Sequence, residues 1–168
     1  TPFLYAGEEL GLENAEVPAG RRVDPGGRDG CRAPIPWSPE PPHGWGPSPW
    51  LPFPPDAAAR SAATQSADPA SILSLYRRLL RLRRASPALH EGSWHLVQDS
   101  EDLLVYERRA DDDRRAVVAN FGPAAQVVPL PGRWTVDVAT PDGRAGDAWN
   151  GTVEAEAAVI LSPDGDDA

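Results

Sequence analysis

The chain contains no lysine and no methionine, and Cys31 is its single cysteine. One cysteine excludes an internal disulfide and leaves no set of thiols to hold a structural metal; no metal is expected, and no segment points to a cofactor. No apolar run approaches the ~20 residues that a membrane-spanning helix requires, so no membrane partner is expected. Positive charge is scarce as well. Sixteen basic residues against twenty-five acidic ones give a formal charge of −9, which argues against nucleic acid, because a phosphate backbone is bound through basic surfaces. The one basic cluster, Arg77, Arg78, Arg81, Arg83 and Arg84, falls in the second half of an expected helix, where it reads as a solvated face that complements the helix dipole. No charged-then-apolar leader opens the sequence, and the lone thiol fits a reducing compartment; a cytoplasmic location is the expectation.

What is present has a soluble globular balance, 40% hydrophobic and 24% charged. Phe3 to Ala6 is a short apolar run that reads as a buried strand ended by Gly7, with Glu8 and Glu9 at its C-terminal end. From there to about Ser66 no segment has a convincing period, and residues 33 to 55 hold ten of the twenty prolines. A stretch so long without period is either an elaborated site loop or a linker. A helix is expected from about Ala70 to Arg84: Asp68 caps it, Pro69 suits its first position, and Ile72, Leu75, Tyr76, Leu79 and Leu82 share one face. Ser86-Pro87 stops it. Six strands should follow, at Trp94–Val97, Leu103–Arg108, Arg115–Phe121, Gln126–Leu130, Trp134–Ala139 and Ala157–Leu161, with turns at Asp111–Asp113 and Gly122-Pro123. They suggest an antiparallel sandwich. A parallel strand buried on both faces needs parallel neighbours, which this sequence does not contain, so the first ninety residues are expected to fold against strands lying elsewhere.

Two segments carry a family resemblance. Thr1-Pro2-Phe3-Leu4-Tyr5-Ala6-Gly7-Glu8-Glu9-Leu10-Gly11 resembles the eighth barrel strand of glycoside hydrolase family 13 α-glucosidases, in the α-amylase superfamily, with Ala6 where glutamine is common. Asp24-Pro25-Gly26-Gly27-Arg28-Asp29-Gly30-Cys31-Arg32-Ala33-Pro34-Ile35-Pro36-Trp37 resembles that family's RD-x-x-R-x-P-x-x-W loop. The resemblance implies an α/β plus all-β chain: residues 1–90 as the last strand, loop and helix of a (β/α)8 TIM barrel, 91–163 as a C-terminal antiparallel β-sandwich, and 164–168 as a disordered tail. It implies that the parent hydrolyses terminal α-linked glucose from oligosaccharides with retention, and that its partner is such an α-glucoside. Arg32 should then bind the non-reducing glucose together with an aspartate on an earlier strand, and Arg28 should face the neighbouring sugar. A guanidinium holds five donors in a rigid fork, which suits vicinal hydroxyls and ionised carboxylates alike. The plainer reading is that both arginines only tie the loop together.

The catalytic residues are not expected here. A retaining glycosidase needs two carboxyl groups ≈ 5–5.5 Å apart across the scissile bond, and no segment resembles the family's nucleophile, acid/base or transition-state-stabilising motifs. Glu8 and Glu9 are adjacent, so on an extended strand they point to opposite faces and cannot easily flank one bond; they read as acceptors that anchor the loop. Trp37, Trp45 and Trp50 read as residues that pin a loop to the barrel rim. His43, His90 and His95 have no metal-ligand spacing. Asn150-Gly151-Thr152 matches a glycosylation pattern, incidental without a secretory signal. Two other functions stand beside the main one: a fragment of a trehalose synthase or other glucosyl-transferring relative, and a free-standing β-sandwich that binds carbohydrate or serves a structural role.

Overall fold

The computed structural model describes residues 2–141 and 143–165, arranged as two compact units, Thr1–Arg77 and Arg78–Ala168. Thr1, which opens the first family-like segment, and residues 166–168 of the expected tail lie outside the described residues. Among the described residues no helix is long and apolar enough to cross a membrane.

The first unit is built mainly from turns. Three 3₁₀ turns, Glu8–Leu10, Ala19–Arg21 and Gly30–Arg32, precede a short helix, α1 (Ala62–Ala67). Its core is small: Leu10 and Leu51 are fully buried, with Ala15 and Val17 close to it. Gln65, itself buried, ties the pieces together. Its Nε2 donates to the Leu10 carbonyl at 2.7 Å and its Oε1 accepts the Leu73 N–H at 3.1 Å. A buried amide must satisfy both ends, and here each end closes a different segment. The proline-rich stretch is a folded loop: Trp37 N–H donates to His43 O, while the Ala62 and Ala63 N–H groups donate to Pro36 O and Trp37 O.

Two expectations for this unit are corrected. Phe3 to Ala6 forms no strand, and Phe3 is 91% exposed. A strand exists only through ladder hydrogen bonds, and the chain supplies no neighbour for one here. The next helix, α2 (Ile72–Ala85), starts two residues later than expected. Its cap is Ser71, whose Oγ accepts the Ser74 N–H at 3.1 Å, while Asp68 instead accepts the Ala70 N–H in the turn before it. Trp37, Trp45 and Trp50 are 54%, 42% and 58% exposed in this chain, and the Trp45 indole N–H donates to Ile35 O at 2.6 Å. No residue of α2 is buried.

The second unit is a two-layer sandwich. A short helix, α3 (Pro87–Glu91), leads into β1 (Ser93–Asp99), β2 (Leu103–Ala110), β3 (Asp113–Asn120), β4 (Gln126–Val127), β5 (Trp134–Thr140), β6 (Thr152–Val153) and β7 (Ala158–Pro163). One antiparallel sheet runs β1-β2-β3-β7-β5 and a two-stranded sheet pairs β4 with β6. Alternation sends Leu103 and Val105 of β2, Ala116 and Val118 of β3, and Val159 and Leu161 of β7 into one core, met by Val128 and Val153 from the other layer. Asp111 at φ 48° makes the β2–β3 turn. Asn120 holds the next one, accepting the Gly122 N–H while its amide donates to Ala124 O and Glu154 O.

Two elements of this unit had no sequence signal. β6 is two residues long, below the length at which alternation can be read. Ser86-Pro87 ends α2 as expected but also starts α3: Ser86 Oγ accepts the Leu89 N–H, and Asp113 accepts the Ala88 N–H at 2.9 Å. The joint from α3 to β1 is tight. A Cβ at Gly92 would sit 2.5 Å from Ala88 O and 2.6 Å from Arg109 O, both main-chain atoms. Gly92→Ala is therefore expected to lower stability by about 1–3 kcal/mol, as overpacking does. Urea unfolding followed by intrinsic fluorescence checks this; an unchanged midpoint would refute the close approach.

Candidate functional site

The loop carrying Arg28 and Arg32 is folded around Asp29. That carboxylate is 2% exposed and accepts the Val23 and Asp24 N–H groups, each at 3.1 Å. Its carbonyl accepts the Arg32 N–H at 3.1 Å, which helps close the 3₁₀ turn. Gly30 then crosses residue 15: Ala15 N–H donates to Gly30 O at 3.1 Å, and a Cβ at position 30 would lie 2.7 Å from Ala15 O. Only glycine allows that approach. Asp29→Ala leaves two main-chain donors without acceptors, an expected loss of about 1–3 kcal/mol. Hydrogen exchange at the Val23 and Asp24 amides is the check, and protection undiminished in the variant would show that Asp29 does not hold the loop.

Asp24 gathers the charges. Its side chain is 2% exposed and accepts the Gly26 N–H at 2.7 Å. Arg28 donates to both of its oxygens, Nε to Oδ2 at 3.1 Å and Nη2 to Oδ1 at 3.3 Å. Arg32 reaches the same carboxylate as an ion pair, Nη1 to Oδ2 at 2.6 Å. The Gly26 N–H first, and then the two guanidiniums, hold the Asp24 carboxyl below the usual carboxylate range against the opposing effect of desolvation. The aspartate beside Arg32 in this structure thus belongs to its own loop. The arginine side chains remain open to solvent, 64% for Arg28 and 42% for Arg32.

Glu8 and Glu9 are engaged locally. The Glu8 carboxylate accepts the Tyr5 N–H and the Glu9 carboxylate the Gly7 N–H, each at 2.9 Å. Two clefts adjoin the loop. One of about 630 Å³ is lined by Asn14, Glu16, Arg22 and Asp29 among others; a smaller one of about 120 Å³ is lined by Tyr5, Glu8, Asn14 and Cys31 among others. Arg28 and Arg32 stand outside both linings. Among the described residues no group of three or more His, Cys, Asp or Glu is placed to hold a metal ion.

The roles of Asp24 and Asp29 escaped sequence reading. Both lie inside the family-like segment, and Asp24 stands four residues before Arg28. That spacing implies an ion pair only on a helix, and this is a loop.

Comparison with known proteins places these features. Residues 1–92 match a family model described as "Alpha amylase, catalytic domain", and residues 90–161 match "Domain of unknown function (DUF3459)". The "Probable alpha-glucosidase" of Rhizobium meliloti is 36% identical over 141 residues, 78% of this chain and 26% of that protein. The "Amino acid transporter heavy chain SLC3A2" of Mus musculus is 32% identical over 123 residues, 72% of this chain and 20% of that protein. Among solved structures, the alpha-glucosyl transfer enzyme XgtA superposes with a TM-score of 0.76 at 31% identity, covering 96% of this chain and 32% of that one. The chain therefore spans between a fifth and a third of the length of these relatives.

Proposed function

Because the chain belongs to the α-amylase family, whose catalytic-domain model it matches over residues 1–92 of 168, we propose that it is the C-terminal portion of a retaining α-glucosidase. The parent hydrolyses terminal α-linked glucose from oligosaccharides, and this portion supplies one edge of the sugar site without the catalytic carboxylates. Residues 1–90 are then the end of the barrel domain and 91–163 the C-terminal sandwich. One observation carries the reading: in the catalytic-domain segment, two exposed guanidiniums are gathered on one nearly buried carboxylate, Asp24. In (β/α)8 barrels the site lies on the loops at the C-terminal ends of the strands, and the Arg28–Arg32 loop follows the segment that resembles the eighth strand. The lone thiol supports a cytoplasmic setting.

The test is a fusion of the preceding residues of the Rhizobium meliloti relative to this chain. Arg32→Ala should lower kcat/KM roughly tenfold to a hundredfold, the worth of a hydrogen bond from a charged group. Arg32→Lys should recover little, because an ammonium is a point charge without the fork. Arg28→Ala should act mainly on disaccharides, since an aryl glucoside offers no second sugar to contact. Near-normal kcat/KM for Arg32→Ala on both substrate types would make Arg32 a structural tie only.

A second reading, glucosyl transfer in place of hydrolysis, is supported by the 31% identity with XgtA, whose printed title names that activity. The product distinguishes the two. Free glucose supports hydrolysis, and a lengthened or isomerised glucoside supports transfer.

A further inference from the structure

We infer that Asn150 is a modification site: its side-chain amide is lost through a cyclic imide formed with the Gly151 nitrogen, and the isoaspartate that results loosens the two-stranded layer of the β unit. Every group involved lies within that unit, so the inference stands apart from the sugar-site reading.

The chain holds three asparagines, Asn14, Asn120 and Asn150. Loss of the amide begins when the main-chain nitrogen of the following residue attacks Cγ. The N–Cγ bond forms, the Cγ–Nδ2 bond breaks, the proton from the attacking nitrogen passes through solvent to the departing one, and ammonia leaves. Water then opens the imide at either carbonyl, giving aspartate or isoaspartate, so water is the only co-reactant. At two of the asparagines the nucleophile is engaged: the Ala15 N–H donates to Gly30 O at 3.1 Å, and the Phe121 N–H to Asp102 O at 2.7 Å. The Asn120 amide is held as well, donating to Ala124 O and Glu154 O. Asn150 differs at each point. Its successor is glycine, with no Cβ to obstruct ring closure, and among the described residues neither the Gly151 N–H nor the Asn150 amide nitrogen has a hydrogen-bond partner. Asn150 Oδ1 accepts the Thr152 N–H at 3.0 Å, which closes a small ring containing both the Gly151 nitrogen and Asn150 Cγ. The same N–H faces the oxygen that gains negative charge as Cγ becomes tetrahedral, which lowers the barrier as donors in an oxyanion site do. Asn120 makes the equivalent bond to Gly122, so the free nucleophile and the free leaving group are what single out Asn150. The turn is held by Gly151 O, which accepts the Val128 N–H at 2.8 Å, with Gly151 at φ 81°. The consequence follows from position. β6 begins at Thr152 and is paired only with β4, Val127 to Thr152 and Gln126 to Val153. Isoaspartate routes the main chain through the former side chain and adds a methylene just before that pair, so Val153, fully buried in the core, cannot keep both its place and its register.

The experiment incubates the chain in mildly alkaline buffer and follows each asparagine by peptide mass mapping, beside a synthetic peptide covering residues 147–155. The mass gain of an amide replaced by an acid should appear at Asn150 and not at Asn14 or Asn120. It should proceed roughly fivefold faster in the folded chain than in the peptide, the factor that about 1 kcal/mol of hydrogen bonding to Oδ1 gives. Conversion no faster in the chain than in the peptide, or as ready at Asn14 or Asn120, would overturn the site. Thermal unfolding reads the consequence. The converted chain should melt below the fresh one, whereas freshly prepared Asn150→Asp, which carries the charge without the added methylene, should melt with it. An Asn150→Asp variant as destabilised as the converted chain, or a converted chain that melts unchanged, would overturn the effect on the β4–β6 layer.

Discussion

Glu107→Ala is expected to destabilise the β unit by about 3 kcal/mol, the low end of what breaking a buried ion pair costs. Glu107 lies on β2 with its side chain 4% exposed, and two guanidiniums converge on it: Arg114 Nη2 at 2.6 Å and Arg109 Nη2 at 2.5 Å. Arg114 also lies over the Trp134 ring, 4.8 Å from its centroid, so one carboxylate ties β2 and β3 to the aromatic residue that opens β5. The arginines keep some solvent, 30% and 51% exposed, and can be rehydrated when the glutamate is gone, which places the loss at the lower end. For a unit of this size such a loss lowers Tm by roughly 12–24 °C. The pH dependence carries a sign. Desolvation raises the Glu107 pKa, but the hydrogen bonds and charges of Arg114 and Arg109 outweigh it and hold the carboxyl below its ordinary value. A depressed folded pKa gives stability that is present above the unfolded value of about 4.3 and is lost as pH falls through the folded value. Asp137 works in the opposite direction: burial raises it despite the Ser162 hydroxyl and the Arg115 charge, so it favours folding at low pH and loses that contribution as pH rises. In Glu107→Gln the acid limb of a stability profile should therefore flatten. A limb as steep as in the unmodified chain would place the acid sensitivity elsewhere.

The chain on its own is expected to release no aglycone from a nitrophenyl α-glucoside above a heat-treated control. Retaining hydrolysis needs a nucleophile and an acid/base spaced across one bond, and together they account for many powers of ten of the rate, within accelerations of roughly 10⁶-fold or more. Four of the carboxylates around the loop are already committed. Glu8 and Glu9 accept main-chain N–H groups, Asp29 is buried as a loop anchor, and Asp24 is held ionised by its donors. A group kept ionised in this way cannot serve as a general acid near neutral pH. Turnover that persisted in protein free of host enzyme, and that fell in a Glu8→Gln or Glu9→Gln variant, would contradict this.

Local pattern made the β unit legible. Alternation located five strands to within a few residues and found β4 as well, since a half-buried strand writes its period into the sequence. It could not find β6, which is two residues long and exists because β4 needs a partner. The helix was readable from its apolar face, but its start was not. Asp68 and Ser71 are both good caps, and the choice went to Ser71, where Gln65 also meets the helix start through the Leu73 N–H. Phe3 to Tyr5 failed as a strand for the same underlying reason that β6 was missed: a ladder is a property of two segments, and a sequence reading sees one. In the long loop, Arg28 and Arg32 were singled out only because a motif resemblance named them. Asp24, which orders them, was not, because the contact depends on the path of a loop fixed by Asp29 and Gly30.

The most direct test of the proposed function is the anomeric form of the first product. The fusion of the Rhizobium meliloti relative's preceding residues to this chain is incubated with maltose and followed by proton NMR from the first minute. Retention through a covalent glucosyl intermediate predicts that glucose appears first as the α-anomer and then mutarotates. A fusion that unfolds cooperatively yet yields the β-anomer first, or cleaves no α-glucoside at all, would contradict the assignment of this chain to a retaining α-glucosidase.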